Sequence, residues 1–178
     1  GIFDLGHMGR VRVFGPDRVR FLDAVTTNFV ARIPDGAIRY SLFCTPDGYP
    51  IDDLLVYVDP EYVRLVINAS NIEVDLAFLH EHSEGYDVTI EDRTDSTTMI
   101  AVQGPEAVAI VQGVCDSDLS EIGYYRFGRS TVCSVPNTLL SRTGYTGEDG
   151  FEIYLRTEDG VDVWNALLEL GGSQDMQP

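Results

Sequence analysis

Short runs in which apolar and polar residues alternate divide much of the chain into strand-like segments. Four such runs, separated by Asp-Gly, Asp-Pro and Glu-Gly turn sequences, cover residues 38–45, 51–59, 62–70 and 87–94. A fifth, GFEIYL at residues 150–155, places a glutamate between apolar neighbours. Alternation with a period of two is typical of strands with one buried face. The pattern therefore predicts a chain built largely from antiparallel strands joined by hairpin turns.

Fewer segments carry the spacing of a helix. Residues 71–82 (NIEVDLAFLHEH) predict a helix with Asn71 or Ser70 as its cap and acidic residues in its first turn. Residues 157–170 predict another helix, which ends at Gly171-Gly172. Strands interleaved with a few helices indicate the α+β class.

An internal echo relates two parts of the chain. Residues 8–25 and 99–114 each combine a strand, a Gly-Pro-acid sequence and apolar residues at helical spacing. Proline is favoured at the first helical position, so Pro16 and Pro105 are predicted to begin helices. Because the copies lie too far apart for a solenoid repeat, they predict two interleaved lobes of mainly antiparallel strands with helices. The possible lobes are 1–54 plus 134–178 and 55–133.

The charge balance argues against one large class of partner. The formal net charge is −17, from 29 acidic and 12 basic residues, and no segment gathers lysine and arginine into a patch. Such a field repels nucleic acid, which is therefore not an expected partner. No apolar run is long enough to span a membrane, and the three cysteines and three histidines lack the spacing of a metal site. We expect a cytoplasmic protein, or a mitochondrial-matrix one in a eukaryote, without a metal or a membrane partner.

Carboxylates are the candidates for chemistry. Asp52 and Asp53 follow a turn at the head of an apolar strand, where adjacent side chains point to opposite faces. One acid can then face solvent and the other a cavity, or, more plainly, both can cap the turn. Glu152 and Tyr154 share one face of their strand. If that face lines a pocket, Glu152 is a hydrogen-bond acceptor for a ligand, and if it meets water, Glu152 has no special role.

Six ordered blocks carry a family resemblance over essentially the whole chain. They are GIFDLGHMG, GPDRVRFLDAVTTNFV, YSLFCTPDGYPIDDLLVY, LVINASNIEVDL, IAVQGPEA and SRTGYTGEDGFEI. In this order and spacing the chain resembles the aminomethyltransferase, or T-protein, family of the glycine cleavage system. The resemblance implies a T-protein-like folate-binding fold. It also implies a reaction in which an aminomethyl group on a lipoylated carrier protein loses ammonia and gives its one-carbon unit to tetrahydrofolate.

The same resemblance implies roles for five residues. Asp53 matches a carboxylate beside the reactive nitrogens of the pterin, where it would orient the folate and favour the cation that forms as ammonia leaves. Tyr40 and Asn68 match positions that line the same cavity. Glu152 matches the acceptor for the N–H groups of the pterin edge, and Tyr145 matches an aromatic residue of the pocket wall.

The chain departs from the family pattern at three places. Gly48-Tyr49-Pro50 replaces the usual two glycines before the aspartates, which would stiffen and fill the loop and alter substrate access. Gly6 stands where the family commonly has serine. Family members also carry a segment before GIFD and, after MQP, an arginine that pairs with the folate and a C-terminal β-domain that this sequence does not contain. We therefore expect the chain, shortened at both ends relative to the family, to bind folate weakly and to turn over little by itself.

Two other interpretations stay open. One is another folate-dependent transferase of the superfamily, such as the folate domain of dimethylglycine or sarcosine dehydrogenases, or a demethylase with a sulfonium donor. The other is a non-catalytic folate-binding protein of the iron–sulfur assembly type. Those relatives carry a cysteine that residues 142–146 lack. For the aminomethyltransferase, the densest basic group that could meet a lipoylated carrier is Arg10, Arg12, Arg18 and Arg20.

Overall fold

Strands outnumber helices in the computed structural model, which describes residues 1–172 and 176–178. The strands are β1 (Ile2–Asp4), β2 (Gly9–Phe14), β3 (Ile38–Cys44), β4 (Pro50–Val58), β5 (Val63–Ile67), β6 (Thr89–Asp92), β7 (Thr97–Gln103), β8 (Phe127–Val132), β9 (Val135–Ser141) and β10 (Gly150–Arg156). The α-helices are α1 (Arg18–Val25), α2 (Ile72–His82), α3 (Ala107–Gln112) and α4 (Gly160–Gly172). Short 3-10 turns lie at Val30–Arg32, Ala69–Asn71, Leu119–Glu121 and Thr157–Asp159. The predicted α+β class is confirmed.

Two compact units share the strands equally. The central unit consists of residues 7–94 and contains an antiparallel sheet in the order β3-β4-β5-β2-β6. The terminal unit consists of residues 1–6 and 95–178 and contains a second antiparallel sheet in the order β1-β7-β10-β9-β8. Because the terminal unit is built from both ends of the chain, the units are interleaved in sequence.

The unit boundaries differ from the predicted lobes, 1–54 plus 134–178 and 55–133. Strand β4 runs through the predicted boundary at residue 54 and pairs along its length with β3 and β5. Strand β2 in turn pairs with β5 and β6. These ladders hold the predicted boundary inside one sheet, so a break at residue 54 is wrong. The two copies of the internal echo, residues 8–25 and 99–114, do lie in different units.

Each unit has its own apolar core, in which helices cover one face of the sheet. In the central unit, α1 and α2 contribute Phe21, Leu22 and Leu79 to a cluster with alternate residues of β2, β4 and β5. In the terminal unit, α3 and α4 contribute Ile110 and Leu167 to a cluster with residues of β7, β9 and β10. Period-two alternation is thus the consequence of sheets with a covered face.

The helices of the echo begin two residues later than predicted. Helix α1 starts at Arg18 rather than Pro16, and α3 starts at Ala107 rather than Pro105. In the central unit the Asp17 carboxylate accepts a hydrogen bond from the backbone N–H of Asp87, at 3.0 Å, instead of capping its own helix. This contact with a distant loop keeps residues 16–17 in a turn.

The end of α4 also differs from the prediction, because Gly171-Gly172 lie inside the helix. A β-carbon at position 171 would lie 2.5 Å from the terminal carbon of Met176. Gly171 therefore allows a close approach of Met176, whose side chain belongs to the terminal core. Gly171 therefore has a packing role in the terminal core.

The hairpin of β8 and β9 was not predicted, because its turn lacks the usual residues. Cys133 and Ser134 join the strands with φ values of 48° and 68°, the left-handed conformation that two-residue turns of this kind require. Asn-Gly is the favoured sequence there, and a residue with a β-carbon is strained by about 1 kcal/mol.

Ser134→Gly is accordingly expected to raise the free energy of unfolding by up to about 0.5 kcal/mol, since the relief of strain is partly offset by the added entropy of the unfolded chain. Chemical denaturation measures this. Ser117→Gly is the matched control, because Ser117 has no positive φ, and it is expected to destabilise the protein slightly. Equal effects of the two substitutions would show that the turn is not strained.

Candidate functional site

The five predicted residues fall into both units. Tyr40, Asp53 and Asn68 lie in the central unit, whereas Tyr145 and Glu152 lie in the terminal unit. Each group is described within its own unit.

An amide joins two carboxylates in the central unit. The Asn68 Nδ2 donates hydrogen bonds to Asp52 Oδ1 and to Asp53 Oδ1, each at 2.9 Å. It also lies 3.2 Å from the Asp53 carbonyl oxygen, and the Asn68 backbone N–H donates to Asp52 Oδ2 at 3.2 Å. Asn68 follows the last residue of β5, whose register places it beside the start of β4. The Asn68 amide thereby fixes the side chains of the adjacent residues Asp52 and Asp53.

The two aspartates point to opposite faces of the sheet, as the strand geometry predicts. Asp52 alternates with Leu54 and Val56, which belong to the helix-covered core, and it is buried. Asp53 lies on the other face and is partly exposed. Tyr40 lies on the same face as Asp53, because its neighbour Leu42 is the register partner of Asp53. The structure therefore joins Asp53 to Asn68 and places Tyr40 on the same face of the sheet as Asp53.

The alternative that both acids cap the preceding turn is wrong. That turn is closed by backbone bonds from the Gly48 N–H to the Thr45 carbonyl and from the Thr45 N–H to the Tyr49 carbonyl. Gly48 has φ 85°, which favours glycine, and Tyr49 is strongly exposed. The carboxylates of Asp52 and Asp53 bind Asn68 instead.

A third carboxyl group lies beside Asp52, and sequence reasoning missed its role. Asp75 in α2 is 0% exposed, although the sequence pattern assigned it to the acidic first turn of the helix. Burial and the adjacent Asp52 raise the pKa of Asp75 to about 8. The available signal was its position four residues before the core residue Leu79, which places both on one face of the helix.

The pKa of Asp52 is lowered, in contrast to that of Asp75. Burial alone would raise its pKa, but hydrogen bonds from Asn68 and Asp75 outweigh burial and hold the pKa below its usual value. Asn71 contributes in the same direction. Asp52 is thus the carboxylate of the pair and Asp75 the neutral carboxyl near neutral pH.

In the terminal unit, Glu152 is a buried acceptor. Its side chain is 0% exposed on β10, and its Oε2 accepts hydrogen bonds from Thr143 Oγ1 at 2.5 Å and from the Tyr154 hydroxyl at 3.3 Å. Thr143 Oγ1 also lies 2.5 Å from Ser141 Oγ. The face that Glu152 shares with Tyr154 is therefore buried rather than open to water.

The segment between β9 and β10 forms a cleft of about 350 Å³ in the terminal unit. Its lining includes Tyr124, Thr143 and Asp149. Asp149 makes a two-pronged pair with Arg142, through Nε at 2.9 Å and Nη2 at 2.5 Å, which lowers the pKa of Asp149. The predicted wall residue Tyr145 is 69% exposed on the same segment. This segment thus combines one fixed ion pair with an exposed aromatic ring.

The basic group proposed for a carrier protein is not a continuous surface. Arg10 is 2% exposed, and its guanidinium donates to the carbonyls of Met8 and Thr94. Arg12 lies over the Tyr62 ring, and Arg18 donates to the carbonyls of Gly15 and Pro60. Arg10 in particular cannot meet a partner, since its charge stabilises the chain's own backbone.

Neither a reactive thiol nor a metal-ligand cluster is found in the described part of the chain. Its three cysteines are half-buried free thiols, and burial with nearby Cys133 and Asp116 raises the pKa of Cys115 to about 12. No cluster of three or more His, Cys, Asp or Glu side chains that could hold a metal ion occurs among residues 1–172 and 176–178. Within these residues, no helix has the length and apolarity needed to cross a membrane.

Comparison with known sequences gives a family match over the whole chain. The profile of the GCVT N-terminal domain matches residues 1–178. The chain is 46% identical to the aminomethyltransferase of Alkaliphilus oremlandii and 43% identical to that of Bacillus subtilis, and each alignment covers 100% of this chain and 49% of the relative. The chain therefore spans about half the length of the curated relatives that it matches.

Solved structures give the same result for the fold. The glycine cleavage system aminomethyltransferase T from Bartonella henselae matches with a TM-score of 0.85 and 29% identity, over 94% of this chain and 45% of that one. The heterotetrameric sarcosine oxidase from Corynebacterium sp. U-96 matches with a TM-score of 0.73 and 16% identity, over 99% and 86% of the chains, which indicates a shared fold alone. The resemblance inferred from the six sequence blocks is confirmed.

Proposed function

We propose that this chain, which belongs to the GCVT N-terminal domain family, is the folate-binding part of a tetrahydrofolate-dependent aminomethyltransferase. The reaction moves a one-carbon unit from an aminomethylated lipoyl carrier protein to tetrahydrofolate and releases ammonia. Relatives that are more than 40% identical over the whole chain are named aminomethyltransferases, which supports this class of reaction.

The observation that carries the proposal is the bridge between Asp52 and Asp53. Asn68 Nδ2 lies 2.9 Å from each carboxylate, so Asp53 is held in one orientation at a partly exposed position. A carboxylate fixed in this way can stabilise positive charge without reorganising, which is the usual source of electrostatic catalysis. We assign to Asp53 the stabilisation of the charge that develops as ammonia leaves.

The donor and acceptor chemistry of the described residues fits a pterin. A pterin edge presents N–H groups, which require an acceptor, and an ionised carboxylate only accepts, at about four lone-pair positions. Glu152 Oε2 accepts hydrogen bonds from Thr143 and Tyr154, so its carboxylate is fixed as an acceptor. Tetrahydrofolate, when bound, supplies the nitrogen atoms that accept the one-carbon unit.

The remaining predicted residues take supporting roles in this proposal. Glu152 accepts from the pterin edge, and Thr143 and Tyr154 hold its carboxylate in place. Asn68 orients Asp53, whereas Tyr40 and Tyr145 provide aromatic surface for the ligand. The carrier protein would contact exposed residues, which excludes the buried Arg10.

The choice of donor tests the proposed reaction. The full-length polypeptide is incubated with tetrahydrofolate and one of three donors: an aminomethylated lipoyl carrier protein, an N-methyl amino acid, or an S-methyl sulfonium compound. We expect ammonia and methylene-tetrahydrofolate in equal amounts from the first donor alone.

Two other results would replace this function. Transfer from a methyl donor without ammonia release would indicate a different folate-dependent transferase of the same fold. Folate binding without transfer from any of the three donors would indicate a binding protein. Tyr49 is exposed beside the turn and departs from the family pattern, so Tyr49→Gly is included in the same assay as a test of its effect on donor choice.

A further inference from the structure

Asp75 is a buried acid whose side-chain oxygens receive no hydrogen bond from the described residues. Its side chain is 0% exposed, and within the described part of the chain no N–H or O–H group donates to either of its carboxyl oxygens. A buried carboxylate left in this state would cost several kcal/mol. The group that interacts with it is the carboxyl of Asp52.

Two adjacent carboxyl groups can form a hydrogen bond only if one of them carries a proton. Asp52 already accepts from the Asn68 backbone N–H and from Asn68 Nδ2, which favours its ionised form. The proton therefore belongs on Asp75. Donation from Asp75 to Asp52 gives the protonated oxygen of Asp75 a partner and makes Asp52 a fixed acceptor for Asn68.

We propose that Asp75 is a positioning residue that acts on Asp53 through a relay of hydrogen bonds. The protonated carboxyl of Asp75 donates to Asp52, Asp52 fixes the Asn68 amide, and Asn68 Nδ2 fixes Asp53. The relay runs from beneath helix α2, through the end of the sheet, to the partly exposed side chain of Asp53. Its effect on rate rests on the function proposed above, but the shared proton does not.

Charged groups on the other elements around α2 have partners of their own. Glu91 of β6 lies 3.6 Å from Arg93, whereas the buried Arg10 of β2 donates to backbone carbonyls. The remaining charged groups on β2, β4 and β6 are Arg12, Asp53 and Asp92. Asp52 is the group whose charge acts on Asp75.

The proton on Asp75 sets the direction of the pH dependence. Its pKa is raised from 3.8 to about 8, so the folded protein holds a proton that the unfolded chain releases near pH 4. Stability therefore falls as the pH rises from about 4 to about 8, and below pH 4 both states are protonated. Above pH 8 two adjacent carboxylates repel each other, which loosens Asp52 and hence Asn68.

Three substitutions test the relay in the full-length polypeptide. Asp75→Asn keeps the shape and offers an N–H donor to Asp52, and Asp75→Leu offers none. Glu73→Gln is the control, because it makes the same carboxyl-to-amide replacement on the exposed face of α2. The readouts are the rate of ammonia release and the melting temperature Tm, each measured from pH 5 to 9.

We expect Asp75→Leu to lower kcat about 10-fold at pH 7 and Asp75→Asn to retain at least about a third of it, with KM for the donor similar in both. The wild-type rate should decline as the pH passes about 8, and Asp75→Asn should lack this decline. Between pH 5 and 8 the wild-type Tm should fall by about 4–8 °C more than that of Asp75→Asn. Glu73→Gln should follow the wild type.

A rate for Asp75→Leu within twofold of the wild type would overturn the proposal, as would equal losses in the leucine and asparagine variants. Parallel Tm profiles for wild type and Asp75→Asn would also overturn it, because no shared proton would then exist. The Tm profile needs no substrate. If the wild type uses none of the donors but shows the expected Tm profile, the proposed reaction fails while the shared proton stands.

Discussion

On the proposed function, Asp53→Asn is expected to lower the rate of ammonia release by a factor on the order of 10² to 10³, with tetrahydrofolate still bound. The asparagine oxygen can replace Asp53 Oδ1 as the acceptor for Asn68 Nδ2, so the local geometry persists. What is lost is the negative charge that stabilises the developing cation. Single-turnover kinetics with the aminomethylated carrier measures the rate, and calorimetry measures folate binding.

Asp47→Asn is the matched control for this substitution. Asp47 lies in the exposed turn before β4, six residues from Asp53, and the chemical change is the same. We expect its rate to stay within about twofold of the wild type, as for a surface substitution. A loss below 10-fold for Asp53→Asn would show that this carboxylate does not support the chemistry.

Glu152→Gln is expected to weaken tetrahydrofolate binding by about 10- to 100-fold, or about 1.4–2.7 kcal/mol. Glutamine keeps an oxygen for Thr143 and Tyr154, so the core of the terminal unit should survive. It also turns one acceptor into an N–H₂ group, which meets the N–H groups of the pterin edge unfavourably. Calorimetric titration gives the affinity, and circular dichroism confirms the fold.

The exposed Glu148, four residues earlier in the loop, provides the control. Glu148→Gln makes the same change in charge and should bind folate as the wild type does. If Glu152→Gln also binds like the wild type, Glu152 serves only as a core acceptor for the two hydroxyl groups.

The sequence predicts local features of this protein well. The alternating runs correspond to β3, β4, β5, β6 and β10, and in each sheet the apolar residues of one face pack under the helices. Helix α2 begins after Asn71, as its capping pattern indicates, although the Asn71 side chain donates to the Ile51 carbonyl instead of capping. Period and end signals are properties of neighbouring residues, so a single sequence is enough for them.

Features that depend on distant residues could not be predicted in the same way. The pairing of β2 with β5 and β6 decides the unit boundaries, and no local pattern encodes it. The hairpin at Cys133 and Ser134 lacks the turn residues by which hairpins are recognised. Asp75 follows the rule for acids in a first helical turn, and only its burial against Asp52 reveals another role.

The candidate site shows the same division. Asp53, Asn68 and Glu152 follow from the family resemblance, and the structure adds which groups hold them. The bridge by Asn68 Nδ2 requires the ends of β4 and β5 to lie side by side, which is a result of sheet register. The contact of Glu152 with Thr143 depends likewise on the pairing of β9 with β10.

Calorimetric titration of tetrahydrofolate into the full-length polypeptide tests the central claim most directly. The account predicts saturable binding at one site per chain, weakened by Glu152→Gln and unaffected by Glu148→Gln and Asp47→Asn. A folded protein that gives no saturable binding would contradict it, and the carboxylates described here would then be structural.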